Sequence, residues 1–485
     1  MPDPLPMVAT AWRLSWRAIV PALLGSIVAL TPTPRDLSPN AWSYFALFVT
    51  VITALITEPI PGPVIGVVGV TGASTLLLVT PTPSDSIRWA LTGFADSTVW
   101  LMFVVFMFAL GYEKTGLGRR IALTLVRWLG RRTLGLGYAI ALADLSLAPF
   151  TPSNTARSGG IIFPIVESIP ALYGSAPGET ARKIGAYLMW TAFAATCVTS
   201  SMFMTGLAPN LLAVSMVKEI AKVNITWMDW FLGFLPVGLV LFGVLPVLVY
   251  RIYPPTVKAS AEVPAWARQE LAKMGRVTRR EGAMALLAIL ALALWIFGGR
   301  WISTTGAALL SLCLMVLTGV IRWDDVLGHK RAWNALVWFA TLVTLADGLN
   351  RVGILTWFAK KTTATLGDVP LLVKVVLVVT LFFVVHYMFA SLTAHTTALL
   401  PVLLTALVAM PELPIRLLSL LLGYTLGLMG ILTPYATGSA PLYYGSGYVT
   451  RKEFWTLGLV FGAIYLVVLL ALGVPYLRTL SPGLS

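Results

Sequence analysis

Two short sequence motifs, which we call words, interrupt apolar stretches of the chain. Both are rich in hydroxyl and amide residues, and the fifth residue of each is basic. One is Ser153-Asn-Thr-Ala-Arg157, and the other is Ser391-Leu-Thr-Ala-His395. An arginine at membrane depth costs about 2.5–3.5 kcal/mol on insertion scales, so Arg157 is a candidate for function. Its planar fork fits a carboxylate in bidentate fashion, and a protonated His395 adds a second positive donor. These residue types predict the binding of an organic anion.

Both basic residues also have a purely structural interpretation. Arg157 could reach the membrane interface or pair with Asp144, and His395 could be a hydrogen-bonded core histidine. His386, in the apolar run before the second word, we interpret as structural.

Prolines and glycines near these words predict helices that break in mid-membrane. Ala148-Pro-Phe-Thr-Pro152 precedes the first word, and Met204–Asn210 and Thr433–Pro441 combine Gly, Pro and Thr in the same way. Proline ends a helix, and a break at membrane depth is tolerated only inside protein or beside a cavity. The helix N-termini freed there bind anions. The Ser391 word has no proline, so its break is inferred from the repeat described below. We expect four breaks, two per half, to converge on one site.

The elements that must position these words are apolar helices. Of the 485 residues, 58% are hydrophobic and 11% are charged, whereas soluble chains are about 45–50% apolar and about 25% charged. Apolar runs of roughly 18 residues recur, each long enough for a ~30 Å hydrocarbon core, and they lack the alternation of a barrel strand. The sequence predicts an all-α polytopic membrane protein with about eleven spans and two further hairpins that do not cross completely.

The net charge of +14 is distributed between the apolar runs and forms no single patch, which argues against nucleic-acid binding. Basic residues flank the segment Lys114 to Arg132 and crowd the only long polar loop, and short basic loops mark the cytoplasmic face. Trp12, Arg13 and Arg17 precede an apolar stretch without a cleavage site, so we predict a retained first helix with a cytoplasmic N-terminus.

The two halves of the chain repeat one another. Three pairs of words occur in the same order and at nearly the same separation: Phe108–Leu117 with Leu345–Ile354, Ser153–Arg157 with Ser391–His395, and Thr205–Pro209 with Thr437–Pro441. The segment from Lys114 to Arg132 has many more basic residues than its counterpart from Arg351 to Asp368, where only Arg351, Lys360 and Lys361 are basic. Opposite sides of the membrane would explain this, so we predict inverted repeats with the site between them. A duplication with parallel topology is the alternative.

The expected organisation follows from these features. Residues 1–35 are the N-terminal cytoplasmic segment and first helix, 36–252 the first repeat with its hairpin, 253–282 a cytoplasmic loop, and 283–485 the second repeat with its hairpin.

Four words carry a resemblance to a known family: Pro152–Arg157, Met202–Asn210, Phe389–Thr397 and Leu432–Gly438. With them, and with Gly116–Ala122 and Trp190, the chain resembles the divalent anion:sodium symporter family over nearly its full length, closest to the bacterial citrate:succinate and tartrate:succinate antiporter branch. The resemblance implies eleven transmembrane helices and two re-entrant hairpins in a homodimer of the cell inner membrane. It also implies a fixed scaffold domain and a transport domain that moves as an elevator.

The resemblance also assigns site residues. The family signature maps to Ser153, Asn154 and Thr155, and its second copy to Ser391, Leu392 and Thr393. With the two basic residues and the neighbouring breaks, the candidate substrate-binding set is Ser153, Asn154, Thr155, Arg157, Thr205, Gly206, Ser391, Thr393, His395, Thr396, Thr437 and Gly438. No metal site and no cofactor is expected.

One departure from the family pattern bears on coupling. Sodium-coupled members carry asparagine in the second signature, where this chain has Leu392. Our hypothesis is charge substitution, in which Arg157, with protonated His395, neutralises the dianion in place of sodium and enforces one-for-one exchange. The expected substrates are small di- and tricarboxylates such as citrate, succinate, tartrate, malate or 2-oxoglutarate. The alternatives are a sodium- or proton-coupled symporter, a passive anion channel, and a membrane-embedded enzyme. The signatures of common hydrolases and nucleotide-binding enzymes are absent from the sequence.

Overall fold

A computed structural model describes residues 16–259, 261–354, 356–357, 370–410 and 412–480. The first fifteen residues of the predicted N-terminal segment, and Lys360 and Lys361 of the charge comparison, lie outside the described residues. The described chain is almost entirely helical. Its helices are α1 Trp16–Leu30, α2 Pro39–Thr57, α3 Gly62–Thr75, α4 Pro83–Ala90, α5 Ser97–Thr115, α6 Leu117–Leu129, α7 Thr133–Leu147, α8 Phe163–Ser168, α9 Gly185–Met202, α10 Ala208–Met216, α11 Trp227–Ile252, α12 Glu262–Lys273, α13 Arg279–Phe297, α14 Thr304–Leu317, α15 Trp323–Gly328, α16 Lys330–Arg351, α17 Leu371–Val385, α18 Leu392–Val408, α19 Ile415–Leu428, α20 Ala440–Gly445, α21 Arg451–Val468 and α22 Val474–Leu480.

Eight helical stretches in this part of the chain are long and apolar enough to cross a membrane. They are Pro39–Thr57, Ser97–Thr115, Thr133–Phe150, Trp227–Ile252, Arg279–Arg300, Lys330–Arg351, Leu371–Met388 and Arg451–Leu480. Shorter apolar helices include Trp16–Leu30 and Gly62–Thr75. The all-α polytopic membrane fold is therefore confirmed, while the count of eleven spans stays a prediction.

Several long helices begin at capping boxes that the sequence encodes. At α13, the Thr278 hydroxyl accepts the N–H of Glu281, and the Glu281 carboxylate accepts the N–H of Thr278. Thr450 and Glu453 start α21 in the same way. Each box satisfies N–H groups that the first turn leaves without a partner, which fixes where a long apolar helix starts.

The helices break at the four expected places, which we number by position. Break one is residues 151–154, where Thr151 is extended (φ −135°, ψ 99°) after the α7 run. Break two is residues 203–207, with a short 3₁₀ turn between two extended residues. Break three is residues 389–391, and break four is the turn-rich stretch 432–439. The repeat therefore predicted the position of break three correctly, although the sequence has no proline there.

The helices pack in two groups, and each group takes helices from both halves. Helices α2, α3, α5, α14 and α16 contact one another, and the Tyr44 hydroxyl of α2 donates to the Leu345 carbonyl of α16 at 2.7 Å. Helices α7, α9, α11, α19 and α21 form the second group, where the Trp230 indole of α11 donates to the Ser201 carbonyl of α9. Breaks one, two and four adjoin the second group, whereas Ser391 of break three lies across a cavity from α2 and α16 of the first group.

The order of elements is the same in both halves. A long helix (α5 or α16) is followed by a broken pair, then by a broken helix (α9–α10 or α19–α20), then by a long helix (α11 or α21). This order agrees with a duplication. The inverted orientation of the repeats, and their division into scaffold and transport domains, stay predictions.

The predicted 253–282 loop contains a helix, α12, that is fastened to α6. Arg119 of α6 pairs with Glu270 of α12 at 2.8 Å. At the start of α7, the N–H of Thr133 donates to the Lys258 carbonyl and its hydroxyl donates to the Val257 carbonyl. The described part of this polar segment is therefore attached to α6 and to the start of α7.

Candidate functional site

Breaks one and two are bound directly to each other. The N–H of Ala208, which starts α10, donates to the Pro152 carbonyl at 2.7 Å, and the Thr205 hydroxyl donates to the Pro149 carbonyl at 2.6 Å. Proline cannot donate, so these contacts use only the carbonyls that the interrupted helix leaves free. The two interruptions of the first half thus satisfy each other.

Break four adjoins break one through the signature residues. The Asn154 amide donates to the Thr437 hydroxyl at 2.6 Å. Next to this contact, Thr155 and Gly438 are both exposed, and they lie so close that a Cβ at Gly438 would overlap the Thr155 hydroxyl. Residues from the two halves therefore share one polar, accessible patch.

The two signature words have the same local geometry. Ser153 accepts the N–H of Ala156 at 3.2 Å, and Ser391 accepts the N–H of Ala394 at 3.4 Å. Each serine hydroxyl therefore accepts an N–H from the first turn of the helical segment that follows, a π-helical segment (Thr155–Ile162) in the first half and α18, of which Ser391 is the N-cap, in the second. Capped N-termini present partial positive charge, which suits an anion.

Ser391 and Thr393 line a cavity of about 320 Å³ together with Ala394 and Thr397 of α18. The opposite wall comes from the first helix group, with Glu58 at the end of α2 and Asn334 and Trp338 on α16. The half-buried serine and threonine of the second signature therefore face open space.

Arg157 lies deep in the protein, fully buried, and uses all five of its N–H groups there. Its Nε donates to Asp144 Oδ2 at 3.1 Å, and its Nη1 donates to the carbonyls of Thr151 and Gly206 at 3.0 and 2.9 Å. Its Nη2 faces three hydroxyls of α9, those of Thr196, Thr199 and Ser200. Asp144 is also buried, and it accepts from the hydroxyls of Thr196 and Thr199.

This geometry corrects the expected role of Arg157. The sequence predicted a guanidinium offered to the ligand, but the side chain is saturated and its charge is matched by Asp144, the pairing considered above as the alternative. Gly206 and Thr205 belong to the same internal network, since the Gly206 carbonyl accepts from Arg157 and the Thr205 hydroxyl also accepts from the Trp227 indole. Arg157, Thr205 and Gly206 are therefore buried supports of the candidate site and do not lie on its accessible surface.

His395 also differs from its expected role. Its ring is fully buried against Phe382, His386 and Phe389, at centroid distances of 4.4, 5.0 and 5.0 Å. Neither ring nitrogen has a hydrogen-bond partner among the described residues. Thr396, also buried, donates its hydroxyl to the Leu392 carbonyl within its own helix. In this conformation neither side chain is accessible to a ligand.

Sequence reasoning missed the polar face of α9 that holds the buried pair. Thr196, Thr199 and Ser200 lie three and four residues apart, so they share one helix face. Asn210 was missed as well; its amide donates to the Ser200 and Phe203 carbonyls where α9 ends. The available signal was a run of hydroxyl residues inside an apolar helix. Among the described residues, no group of three or more His, Cys, Asp or Glu side chains could hold a metal ion.

Interrupted membrane helices that meet around hydroxyl and amide side chains, with helix N-termini at the meeting point, are typical of secondary transporters. The chain belongs to the sodium:sulfate symporter transmembrane-region family, whose model matches residues 12–481. This confirms the family resemblance of the sequence and identifies the chain as a membrane transporter.

Relatives and a solved structure agree with this membership. The chain is 46% identical to the L-tartrate/succinate antiporters of Escherichia coli (strain K12) and Shigella flexneri over 479 residues, which is 96% of this chain and 98% of theirs. It also resembles the structure of the Alcanivorax borkumensis YdaH transporter, with a TM-score of 0.56 and 18% identity over 81% of this chain and 89% of that one. The structural likeness shows the fold alone.

Replacing Asp144 by asparagine should destabilise the protein strongly, because it leaves the Arg157 guanidinium buried without a countercharge. The expected cost is about 3–5 kcal/mol. Adding Arg157→Met should recover only part of the loss, since the buried charge is then gone but the Thr151 and Gly206 carbonyls lose their donor. The measurement is the thermal unfolding midpoint of the purified protein in detergent. An Asp144→Asn protein as stable as the wild type would show that the pair is not the buried support described here.

Proposed function

We propose that this protein is an exchanger of small di- and tricarboxylates, with L-tartrate and succinate as its leading substrates. The observation that carries the proposal is the 46% identity, over 96% of the chain, to L-tartrate/succinate antiporters. An alignment over 96% of the chain includes the four breaks and the helices around them.

The accessible part of the site supports a carboxylate ligand. Thr155 and Gly438 are exposed beside Asn154 and Thr437, and Ser391 and Thr393 face the cavity. Hydroxyl and amide groups donate to carboxylate oxygens, and the capped helix ends add N–H groups and positive potential. The ligand-contacting set in this proposal is Ser153, Asn154, Thr155, Ser391, Thr393, Thr437 and Gly438.

The position of Arg157 supports independence from sodium. Unwound backbone carbonyls at broken helices are the groups that coordinate a coupling cation in many transporters. Here the guanidinium occupies the space between the freed carbonyls of Thr151 and Gly206. The guanidinium is thus a permanent positive partner for these carbonyl oxygens. In this form of our hypothesis, Arg157 replaces sodium at the protein's own oxygens and does not neutralise the bound dianion directly.

An exchange cycle follows from the cost of an empty site. Without a bound anion, the hydroxyls and N–H groups of the breaks that the protein does not itself pair would move through a low-dielectric region without an acceptor, which is expensive. We propose an elevator movement of the second helix group against the first.

We also propose a homodimer in the bacterial inner membrane with a cytoplasmic N-terminus, on the strength of the family resemblance and the basic segments around α6.

A sodium-coupled carboxylate symporter is the second candidate function. The specific observation in its favour is the description of the matching family, which names sodium as the coupling ion.

Counterflow in proteoliposomes separates the two candidates. Vesicles loaded with succinate should take up labelled L-tartrate or succinate in sodium-free buffer, and addition of sodium should change the initial rate by less than about twofold. Vesicles without internal carboxylate should show little uptake. Rapid sodium-driven uptake into these empty vesicles would favour the symporter and contradict the proposal.

Gly438→Ala tests the shared patch of the two halves. The added Cβ overlaps the Thr155 hydroxyl, so the contact between break four and break one must shift, and we expect exchange to fall at least about tenfold. Gly445→Ala is the matched control, because a Cβ there meets nothing within 4 Å. Initial counterflow rates at equal amounts of reconstituted protein give the comparison. Equal exchange by Gly438→Ala and the wild type would remove this patch from the site.

A further inference from the structure

The buried side chain of His386 joins the short 3₁₀ turn before break three (His386–Met388) to break four. Its Nε2 lies 3.0 Å from the Ala436 carbonyl oxygen. A carbonyl can only accept, so Nε2 carries a proton and is the donor. Nδ1 has no hydrogen-bond partner in the described part of the chain. The sequence indicated only a structural residue here.

The residue after Ala436 is Thr437, which break one uses. Its hydroxyl accepts from the Asn154 amide at 2.6 Å. The segment 436–437 therefore has contacts on two sides, from His386 to its Ala436 carbonyl and from Asn154 of break one to its Thr437 hydroxyl. Through this segment, the turn that precedes the second signature word is linked to Asn154 of the first.

We propose that His386 is a positioning residue for the substrate site, which sets the place of Thr437 and thereby of Asn154. It touches no substrate itself. The inference rests on the proposed function, since Asn154 and Thr437 are ligand contacts only within that proposal.

The physical reason is the cost of a buried carbonyl without a donor. If the Nε2 donor is removed, the Ala436 carbonyl loses this partner in a buried place, a penalty that the chain reduces by turning the 436–437 peptide. Such a turn moves the Thr437 hydroxyl away from the Asn154 amide. The effect of His386 should therefore appear in substrate affinity.

A neighbouring hydrogen bond joins the same two segments and provides a control. The Tyr435 hydroxyl donates to the Tyr387 carbonyl at 3.1 Å, but Tyr435 is 38% exposed and water can replace this donor. Tyr435→Phe thus removes a bond between break four and the residues before break three without leaving a buried carbonyl.

The experiment compares side chains that differ in where they place a donor. In His386→Gln the amide nitrogen lies near the position of Nε2, whereas in His386→Asn it is too short, and His386→Leu has no donor. We expect His386→Asn and His386→Leu to raise the KM for succinate about tenfold with the maximal rate within about twofold. His386→Gln and Tyr435→Phe should stay within about twofold of the wild-type KM.

Two further readouts decide the interpretation. Size-exclusion profiles in detergent identify variants that fail to fold; if His386→Leu fails, the Gln and Asn pair carries the test. A double-mutant cycle with Asn154→Ala should give KM effects that combine to less than their product, because both substitutions act through Thr437. Wild-type KM values in His386→Asn, or an equal rise in Tyr435→Phe, would overturn the role of His386. A wild type that exchanges no dicarboxylate would instead overturn the proposed function.

Discussion

The buried pair of Arg157 and Asp144 is the interaction on which the rest of the site depends. Breaking helices inside a membrane leaves carbonyls and N–H groups that lipid cannot satisfy. The guanidinium resolves this for the first half by donating to a carbonyl from break one and a carbonyl from break two at once. A charge so deep is tolerated only with a partner, and Asp144 with three hydroxyls of α9 supplies it.

This arrangement explains why the accessible patch where breaks one and four meet, at Thr155 and Gly438, is neutral. The ionic groups lie behind the breaks, and the accessible face offers hydroxyls, an amide and helix ends. A neutral surface that is rich in donors can bind a dianion and still release it on the other side. A free guanidinium would hold the same anion much more tightly. In the proposed function, the residues that support the site therefore differ from those that contact the ligand.

Much of this architecture could be predicted from the sequence. Proline and glycine marked three breaks directly, and the repeat located break three, which has no proline. The orientation of single side chains could not be predicted. Whether Arg157 faces a ligand or Asp144 depends on how α7 and α9 meet, and the sequence gives no distance between them. The repeat was also misleading at one point, because it suggested equal roles for Arg157 and His395. Local packing separates the two residues, since hydroxyls and carbonyls surround the arginine whereas two phenylalanines and His386 surround the histidine.

The most direct measurement of the central claim is the thermal stability of Arg157→Ala in sodium chloride and in choline chloride at equal ionic strength. Removing the guanidinium leaves the Asp144 carboxylate, the Thr151 and Gly206 carbonyls and the α9 hydroxyls around one space, an all-oxygen set of the kind hard cations prefer. The account predicts that sodium raises the unfolding midpoint of the variant and leaves that of the wild type unchanged. A variant that is equally stable in both salts would contradict the claim that the guanidinium stands where a coupling cation would bind.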